Sequence, residues 1–453
     1  MNVFTKKKTI VLLLILSLIL VLIGCRNSEV NSEMEDSERS SILNNEDTPE
    51  ENPRINDESA NINIQSLNTS QEQIHEEVNL RDDKNIINEK EVLNPEEQFW
   101  RNRVEKALAP TVCRDTPKPI YPTAYYQGPL IDTHLHIPSI PDWSAEEEQQ
   151  MKDETPEGRF GGPQALLGWN VKMSEIACTL KQEGTHKNFA FFPAYEDEIS
   201  TYQLEMWNRT MHEYPDQFTP FIMASGNDGE PDGFPTVDAA TLRKMLAAYP
   251  NLFEGYGEIG LYERENGGSK ALPPDSERLE KIYPLVRQNH LVVYFHLGNG
   301  QKAAFERILN ANPDITFIWH GDQLTISEIE EVLGKHKNVY YGIDEFFGGQ
   351  REIFEKYVGE SKEEYLETVN ENFDKVVKQA VSNWKPLIEQ YPDQVLWGTD
   401  RGDAVWNYDL DVGQMQVKIA RAFTGKLDPA VQEKFAYKNA QRLISEQQNA
   451  VIS

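Results

Sequence analysis

Basic residues are scarce in this chain. Its 453 residues include 44 Lys and Arg against 74 Asp and Glu, a formal charge of −30. Nucleic acids and anionic membrane surfaces need a cationic face on their partner, so the balance argues against both. No glycine fingerprint follows any of the strand-like runs, which speaks against an open, doubly wound nucleotide-binding sheet. No lysine stands at a strand end. There are only three cysteines: Cys25, Cys113 and Cys178.

The first apolar run is also too short to span a bilayer. Ile10 to Ile23 is apolar except for Ser17, and its 14 residues fall short of the roughly 20 that a spanning helix needs. Lys6, Lys7 and Lys8 precede it, which is the layout of an export signal. The run ends in Leu22-Ile23-Gly24-Cys25, which resembles the lipobox of bacterial lipoproteins. The resemblance implies that Cys25 is lipidated and becomes the mature N-terminus. The chain is then expected to be exported and lipid-anchored to the outer face of the bacterial cell membrane. An ordinary secretory signal or an uncleaved anchor would also export it. In an exported protein the two remaining cysteines either pair or stay as separate buried thiols, and spacing does not decide which.

Residues 26–95 hold 18 acidic and 6 basic residues and no aromatic one. Such a stretch cannot bury enough apolar surface to offset its ordering entropy. It is expected to be a disordered acidic tether between the signal, 1–25, and a domain over 96–453. That domain carries a net −21.

The domain opens with a helical stretch from Phe99 to about Leu108. Short apolar runs then recur at Pro129–Ile131, Asn188–Pro193, Phe218–Met223, Gly255–Ile259, Leu291–Phe295, Ile315–Trp319, Val339–Ile343 and Val395–Gly398. Most are separated by helical patterns, among them Ala239–Ala248, Ser276–Gln288, Ala303–Asn310 and Ile326–Lys335. Continuously apolar strands alternating with amphipathic helices imply a parallel sheet covered by helices. Eight such units fit an α/β fold, the (β/α)8 TIM barrel, with loop insertions in 137–187 and 348–393. An open doubly wound sheet is the runner-up.

Chemistry gathers at the carboxyl ends of these runs. The first ends in Asp132-Thr-His-Leu-His136, and period-two alternation puts His134 and His136 on one side. The fourth carries Glu258, the fifth ends in His296, the sixth in His320 and the eighth in Asp400. In a barrel these ends converge on the face where active sites are built. Imidazoles and carboxylates together suit a divalent metal ion, Zn²⁺ foremost, with Mn, Fe or Ni as alternatives by ligand type. Asn299, Trp319, Asp322, Asp344, Glu345, Arg401 and Asp403 are strand-top residues that could contact substrate or support ligands. Asp322 and Arg401 are the best placed for substrate binding. His75, His186, His212, His290 and His336 read as incidental.

These pieces, with Leu396-Trp-Gly-Thr-Asp400 and the late Lys434-Phe-Ala-Tyr-Lys-Asn-Ala-Gln-Arg-Leu443, resemble the amidohydrolase superfamily of metal-dependent barrel hydrolases. The resemblance is to its amidohydrolase-related group and runs from about Pro129 to Leu443. It implies that His134 and His136 are metal ligands, that His296 is a ligand or lies beside the metal, and that Asp400 is ligand and base. Gly257-Glu-Ile-Gly-Leu261 also resembles the fourth strand of TatD-like nucleases, where the carboxylate helps hold a second metal. Glu258 is therefore the bridging candidate, for one or two ions per chain. Tyr262 stands where an acid is expected next in that group, and the −21 charge argues against a nuclease.

A metal site with an open position activates water, and Asp400 could carry the proton to the leaving group. The metal with His320 would polarise a carbonyl oxygen. The expected function is hydrolysis of an amide, lactone or ester-type bond in a small molecule. Non-oxidative decarboxylation on the same barrel is the enzymatic alternative. A solute-binding lipoprotein is the non-enzymatic one, disfavoured because a receptor needs no proton acceptor on strand eight.

We predict that Cys25→Ala abolishes fatty-acid labelling and membrane retention. Protease should cut within 26–95 and leave the following domain whole. A variant that still labels and stays with the membrane contradicts the anchor.

Overall fold

The computed structural model describes residues 94–452 except 114–115, 142, 155–164, 197–198, 265–266, 322, 345–352, 354–360 and 403–407. The signal, Cys25, the acidic tether, Asp322, Glu345 and Asp403 lie outside the described residues.

Eight strands form one parallel sheet in sequence order: β1 (Ile131–His136), β2 (Lys187–Ala194), β3 (Phe218–Ala224), β4 (Gly255–Gly260), β5 (Val292–His296), β6 (Phe317–His320), β7 (Val339–Ile343) and β8 (Val395–Trp397). Beyond β8 the chain returns to β1, where Leu135 bridges Arg401 and the His136 amide donates to the Arg401 carbonyl at 2.8 Å. The order never reverses and the ends meet, so the sheet is a (β/α)8 barrel rather than an open doubly wound layer. Helices Ala239–Ala248 and Ile326–Lys335 keep the bounds read from periodicity. The two insertions hold the helices Ala145–Glu154, Met173–Glu183, Lys362–Glu371 and Phe373–Gln390.

The strands are apolar throughout because both faces are covered. Phe189, Phe191, Phe221, Val292, Tyr294, Ile318 and Leu396 fill the interior. Ala190, Phe192, Val293, Phe295, Phe317, Trp319 and Trp397 pack outward under the helices. The barrel is a filled core, not a pore, and its top layer is where polar groups can emerge.

Two one-residue slips in register decide which side chains emerge there. Between β1 and β2, Asp132 pairs with Asn188 but Leu135 pairs with Ala190. Between β4 and β5, Tyr256 pairs with Val293 but Ile259 pairs with Phe295. Each slip is a bulge, and a bulge reverses the faces of the residues after it. Ile131 and Gly255 point inward below the slips. Strict alternation would then have turned His134, His136 and Glu258 outward. Gly257 makes the second bulge at a φ of 129°, and a Cβ there would lie 2.3 Å from the Tyr294 carbonyl oxygen. Only glycine fits.

The last helix closes the opposite mouth. Ala440, Leu443 and Ile444 pack against the barrel interior. Asn439 donates through Nδ2 to the carbonyls of Pro392 and Val395, both at 2.9 Å, and Arg442 donates to Asp393 O at 2.6 Å. The late Asn-Ala-Gln-Arg-Leu segment is thus a plug. Cys113 and Cys178 are joined in a disulfide, which ties the lead-in segment to helix Met173–Glu183 and settles their pairing.

Candidate metal centre

Four histidines and three carboxylates meet at the carboxyl ends of the strands. His134 Nε2 lies 3.2 Å from His136 Nε2, 3.2 Å from Glu258 Oε2 and 2.9 Å from Asp400 Oδ1. His136 Nε2 is 3.0 Å from Glu258 Oε2 and 3.2 Å from Asp400 Oδ1. Ligand atoms around a tetrahedral ion with bonds of about 2.0–2.2 Å stand about 3.3–3.6 Å apart. The four donors therefore fit one divalent cation after shifts of a few tenths of an ångström. Glu258 turns its other oxygen to a second group, with Oε1 2.7 Å from His320 Nε2 and 3.3 Å from His296 Nδ1. Both groups have the residue types and spacing of metal ligands.

Burial divides the set into floor and rim. The side chains of His134 and His320 are 0% and 2% exposed, while those of His136, Asp400 and His296 are 27%, 26% and 23% exposed. Under the floor sits Asp344, just past β7. Its Oδ2 lies 2.8 Å from Nδ1 of both His134 and His320. Accepting from both Nδ1 atoms, it leaves both Nε2 atoms turned toward Glu258, and would hold the tautomer with Nε2 free once those protons are displaced. Tyr294 OH is a further 3.2 Å neighbour of His134 Nδ1. Asp344 had been only one of several strand-top residues in the sequence. The signal that could have singled it out was its place directly after the apolar Val339–Ile343 run, matching His296 and His320.

Asp400 reaches the cluster from a left-handed backbone, φ 48°, which aspartate tolerates better than most side chains. Asp132 holds the β1 bulge from below. Its Oδ1 accepts from the amides of His134 and Thr399, each at 3.0 Å, and its Oδ2 from Thr399 Oγ1 at 2.6 Å. Burial pushes the Asp132 carboxyl up to about 7, against those hydrogen bonds.

Two expected roles are corrected. Arg401 does not face substrate: it is fully buried, pairs with Glu183 and donates to the Asp409 carbonyl at 2.8 Å. His320, expected to polarise substrate, has both nitrogens against carboxylates and almost no exposure, which places it among the ligand candidates. Trp319 packs outward under the helices, and Asn299 lies exposed in the loop after β5. Arg264 does not satisfy Glu258. It pairs with Asp228 at 2.7 Å and donates to Tyr262 OH at 2.5 Å.

The electrostatics follow from packing acids against imidazoles. Burial alone would lower the His134 pKa, but the charge of Asp400 and the bond to Asp344 hold it well above the ordinary value. His136 is pushed up to about 9, where bonds to Asp400 and Glu258 outweigh burial. His320 is pushed up to about 10, where Asp344 and Glu258 do the same. Burial would raise Glu258 and Asp400, yet the facing imidazoles hold both well below the usual carboxylate range.

A closed parallel barrel with this donor cluster at its carboxyl face defines a class, the metal-dependent barrel enzymes. The chain belongs to the amidohydrolase family: the family model described as Amidohydrolase matches residues 131–445. Enzymes of that family are metal-dependent hydrolases that bind divalent ions. No curated protein matches the sequence. Similar solved structures include a probable 2-pyrone-4,6-dicarboxylic acid hydrolase from Acinetobacter baumannii with citric acid bound. It is 13% identical, with 70% of this chain and 99% of that chain covered and a TM-score of 0.40. An amidohydrolase from Burkholderia multivorans with bound zinc is 11% identical, with 70% and 99% covered and a TM-score of 0.40. A dihydroxybenzoic acid decarboxylase from Polaromonas sp. JS666, with bound manganese and the inhibitor 2-nitroresorcinol, is 14% identical, with 70% and 97% covered and a TM-score of 0.35.

The raised imidazole pKa values carry a prediction. At pH 7 the metal-stripped cluster holds protons that a cation must displace. Zinc added in weak buffer at pH 7 should release protons, and affinity should rise with pH up to about 10. The same histidines stabilise the metal-stripped fold fully below their unfolded value of about 6.5, and that stability is lost as pH rises through about 9 to 10. Zinc uptake with no proton release contradicts the protonated cluster.

Proposed function

We propose that this protein is a metal-dependent hydrolase that adds water across an amide, lactone or ester-type bond of a small molecule. One observation carries the reading: His134 Nε2, His136 Nε2, Glu258 Oε2 and Asp400 Oδ1 converge at the mouth of an amidohydrolase-family barrel, with separations of 2.9–3.2 Å. We assign these four residues to one divalent cation, Zn²⁺ foremost. Glu258, through Oε1, would hold a second ion with His296 and His320.

A cation bound there supplies Lewis-acid polarisation of a carbonyl oxygen and brings the pKa of a water toward 7. Asp400 is the proton carrier. Its carboxylate is ionised at neutral pH and lies on the open rim, so it can take the proton of the attacking water and pass it to the leaving group. His136 and His296 form the rest of the rim that a substrate meets. Asp344 holds the floor imidazoles in one tautomer throughout.

We place the enzyme outside the bacterial cell membrane, held by lipid at Cys25. The basic and apolar signal ending at Cys25 supports this, and so does the Cys113–Cys178 disulfide, a bond that persists in oxidising compartments.

Metal-loaded protein should be assayed against amides, lactones and esters, with carboxylated aromatics to read out decarboxylation. Asp400→Asn keeps shape and one oxygen ligand, so kcat should fall by about 10²- to 10⁴-fold while bound metal changes little. Turnover equal to the parent's would sink the proton-carrier role.

A separate prediction concerns metal number. Glu258→Gln should lower the ions bound per chain, measured by elemental analysis, because one carboxylate serves both groups. A metal count unchanged by that substitution contradicts the shared bridge.

A further inference from the structure

Beyond β4 the chain turns back over the strand end and brings Tyr262 to the rim. Its ring meets His296 edge to face, with centroids 4.8 Å apart at 61°. A Cβ on Gly260 would lie 2.8 Å from Tyr262 Cε1 and 3.2 Å from Arg264 Nη2, so a side chain there would push the Tyr262 ring out of this place. Arg264 stacks on the Tyr262 ring, its guanidinium carbon 4.5 Å from the centroid, and Nη1 donates to the phenol oxygen at 2.5 Å. Nη2 pairs with Asp228 Oδ2 at 2.7 Å. The backbone joins the same loops: Arg264 N donates to Ser269 O at 2.9 Å, and Ser269 N to Asp228 O at 2.8 Å. The guanidinium is therefore fixed from two sides, and it fixes the phenol in turn.

A phenol offers one O–H donor and lone pairs that accept. Arg264 uses the accepting side. Among the described residues nothing accepts the Tyr262 proton. A cation donating into the phenol oxygen strengthens the donor on the other side. The ring that carries this donor packs against His296, one of the three open members of the cluster.

We propose that Tyr262 is a further catalytic residue, whose hydroxyl, set by Arg264, donates a hydrogen bond to the substrate oxygen that becomes negative during hydrolysis. The proposal rests on the hydrolase reading above. As water's oxygen bonds to the carbonyl carbon, the carbonyl π pair moves onto the substrate oxygen and Asp400 takes the water's proton. Tyr262 shares its proton with that oxygen without transferring it. On collapse the carbonyl re-forms, the bond to the leaving group breaks, and Asp400 returns the proton to it. Arg264 and Asp228 are positioning residues for the phenol.

The test uses the zinc-loaded full chain and two probes: 4-nitrophenyl acetate for turnover, and methylphosphonate, a tetrahedral oxyanion, for calorimetric binding. Tyr262→Phe keeps the ring on His296 and removes only the hydroxyl. Losing one oxyanion donor costs about 10²- to 10³-fold in kcat, so kcat should fall that far with KM near the parent's. Methylphosphonate should bind at least about tenfold more weakly, with metal content unchanged. Arg264→Met should lose part of both effects, and Arg264→Lys should restore some. Parent-like kcat and methylphosphonate affinity in Tyr262→Phe, with Asp400→Asn inert, overturn this proposal alone. Parent-like turnover in Asp400→Asn overturns the hydrolase reading as well. A parent that neither binds methylphosphonate nor cleaves the ester overturns both.

Discussion

One carboxylate touches all four histidines of the cluster. Glu258 meets His134 and His136 through Oε2 and His296 and His320 through Oε1, and its side chain is only 9% exposed. A buried carboxylate without partners would shift its pKa and neutralise. Surrounded by imidazoles, Glu258 stays ionised, and His134, His136 and His320 in turn stay protonated or await a cation. Each member of the cluster is tolerable only because the others are present. Removing one partner of such a set leaves an uncompensated charge, which is far more costly than removing the whole set.

The barrel brings Glu258 to that position through a defect rather than through regularity. A one-residue slip at Gly257 turns the Glu258 side chain inward, and a matching slip before Leu135 does the same for His134 and His136. Bulges re-aim side chains at the cost of ladder hydrogen bonds. The β1 slip is steadied by Asp132, whose carboxylate accepts from the His134 amide and from the amide and hydroxyl of Thr399. The β4 slip depends on a glycine conformation that no side chain could share.

These facts explain what the sequence could and could not reveal. Apolar runs and helical periodicity were enough for eight strands in order, because a fully covered parallel strand is apolar on both faces. The gathering of His134, His136, Glu258, His296, His320 and Asp400 was legible because each lies at or near the end of such a run or just beyond it. The register slips were not, since a slip is written in pairing rather than in composition. Alternation from Ile131 would have turned His134 outward, although the histidine pair itself shares a side as expected. Arg401 was misjudged for a related reason. Its neighbour Asp400 takes a left-handed turn, which sends Arg401 into the wall against Glu183 and not toward substrate. The disulfide depends on a fold-back of the lead-in onto helix Met173–Glu183 that residue spacing does not encode.

The seam between β8 and β1 shows why this site and this fold are one problem. Several of its ties are made by residues that carry or flank the proposed ligands. Thr133 Oγ1 donates to the Trp397 carbonyl at 2.9 Å, Thr399 bonds Asp132, and the His136 amide bonds the Arg401 carbonyl. The buried pair of Arg401 with Glu183 then anchors the seam to helix Met173–Glu183, which the disulfide holds to the lead-in. A bound cation would tie His134 and His136 on β1 to Asp400 beyond β8. It would therefore join the two strands that the backbone itself joins least. Ions that bind the folded state alone stabilise it by mass action. In this barrel that stabilisation would act on the closing seam, so the proposed ligands would double as the clasp of the fold.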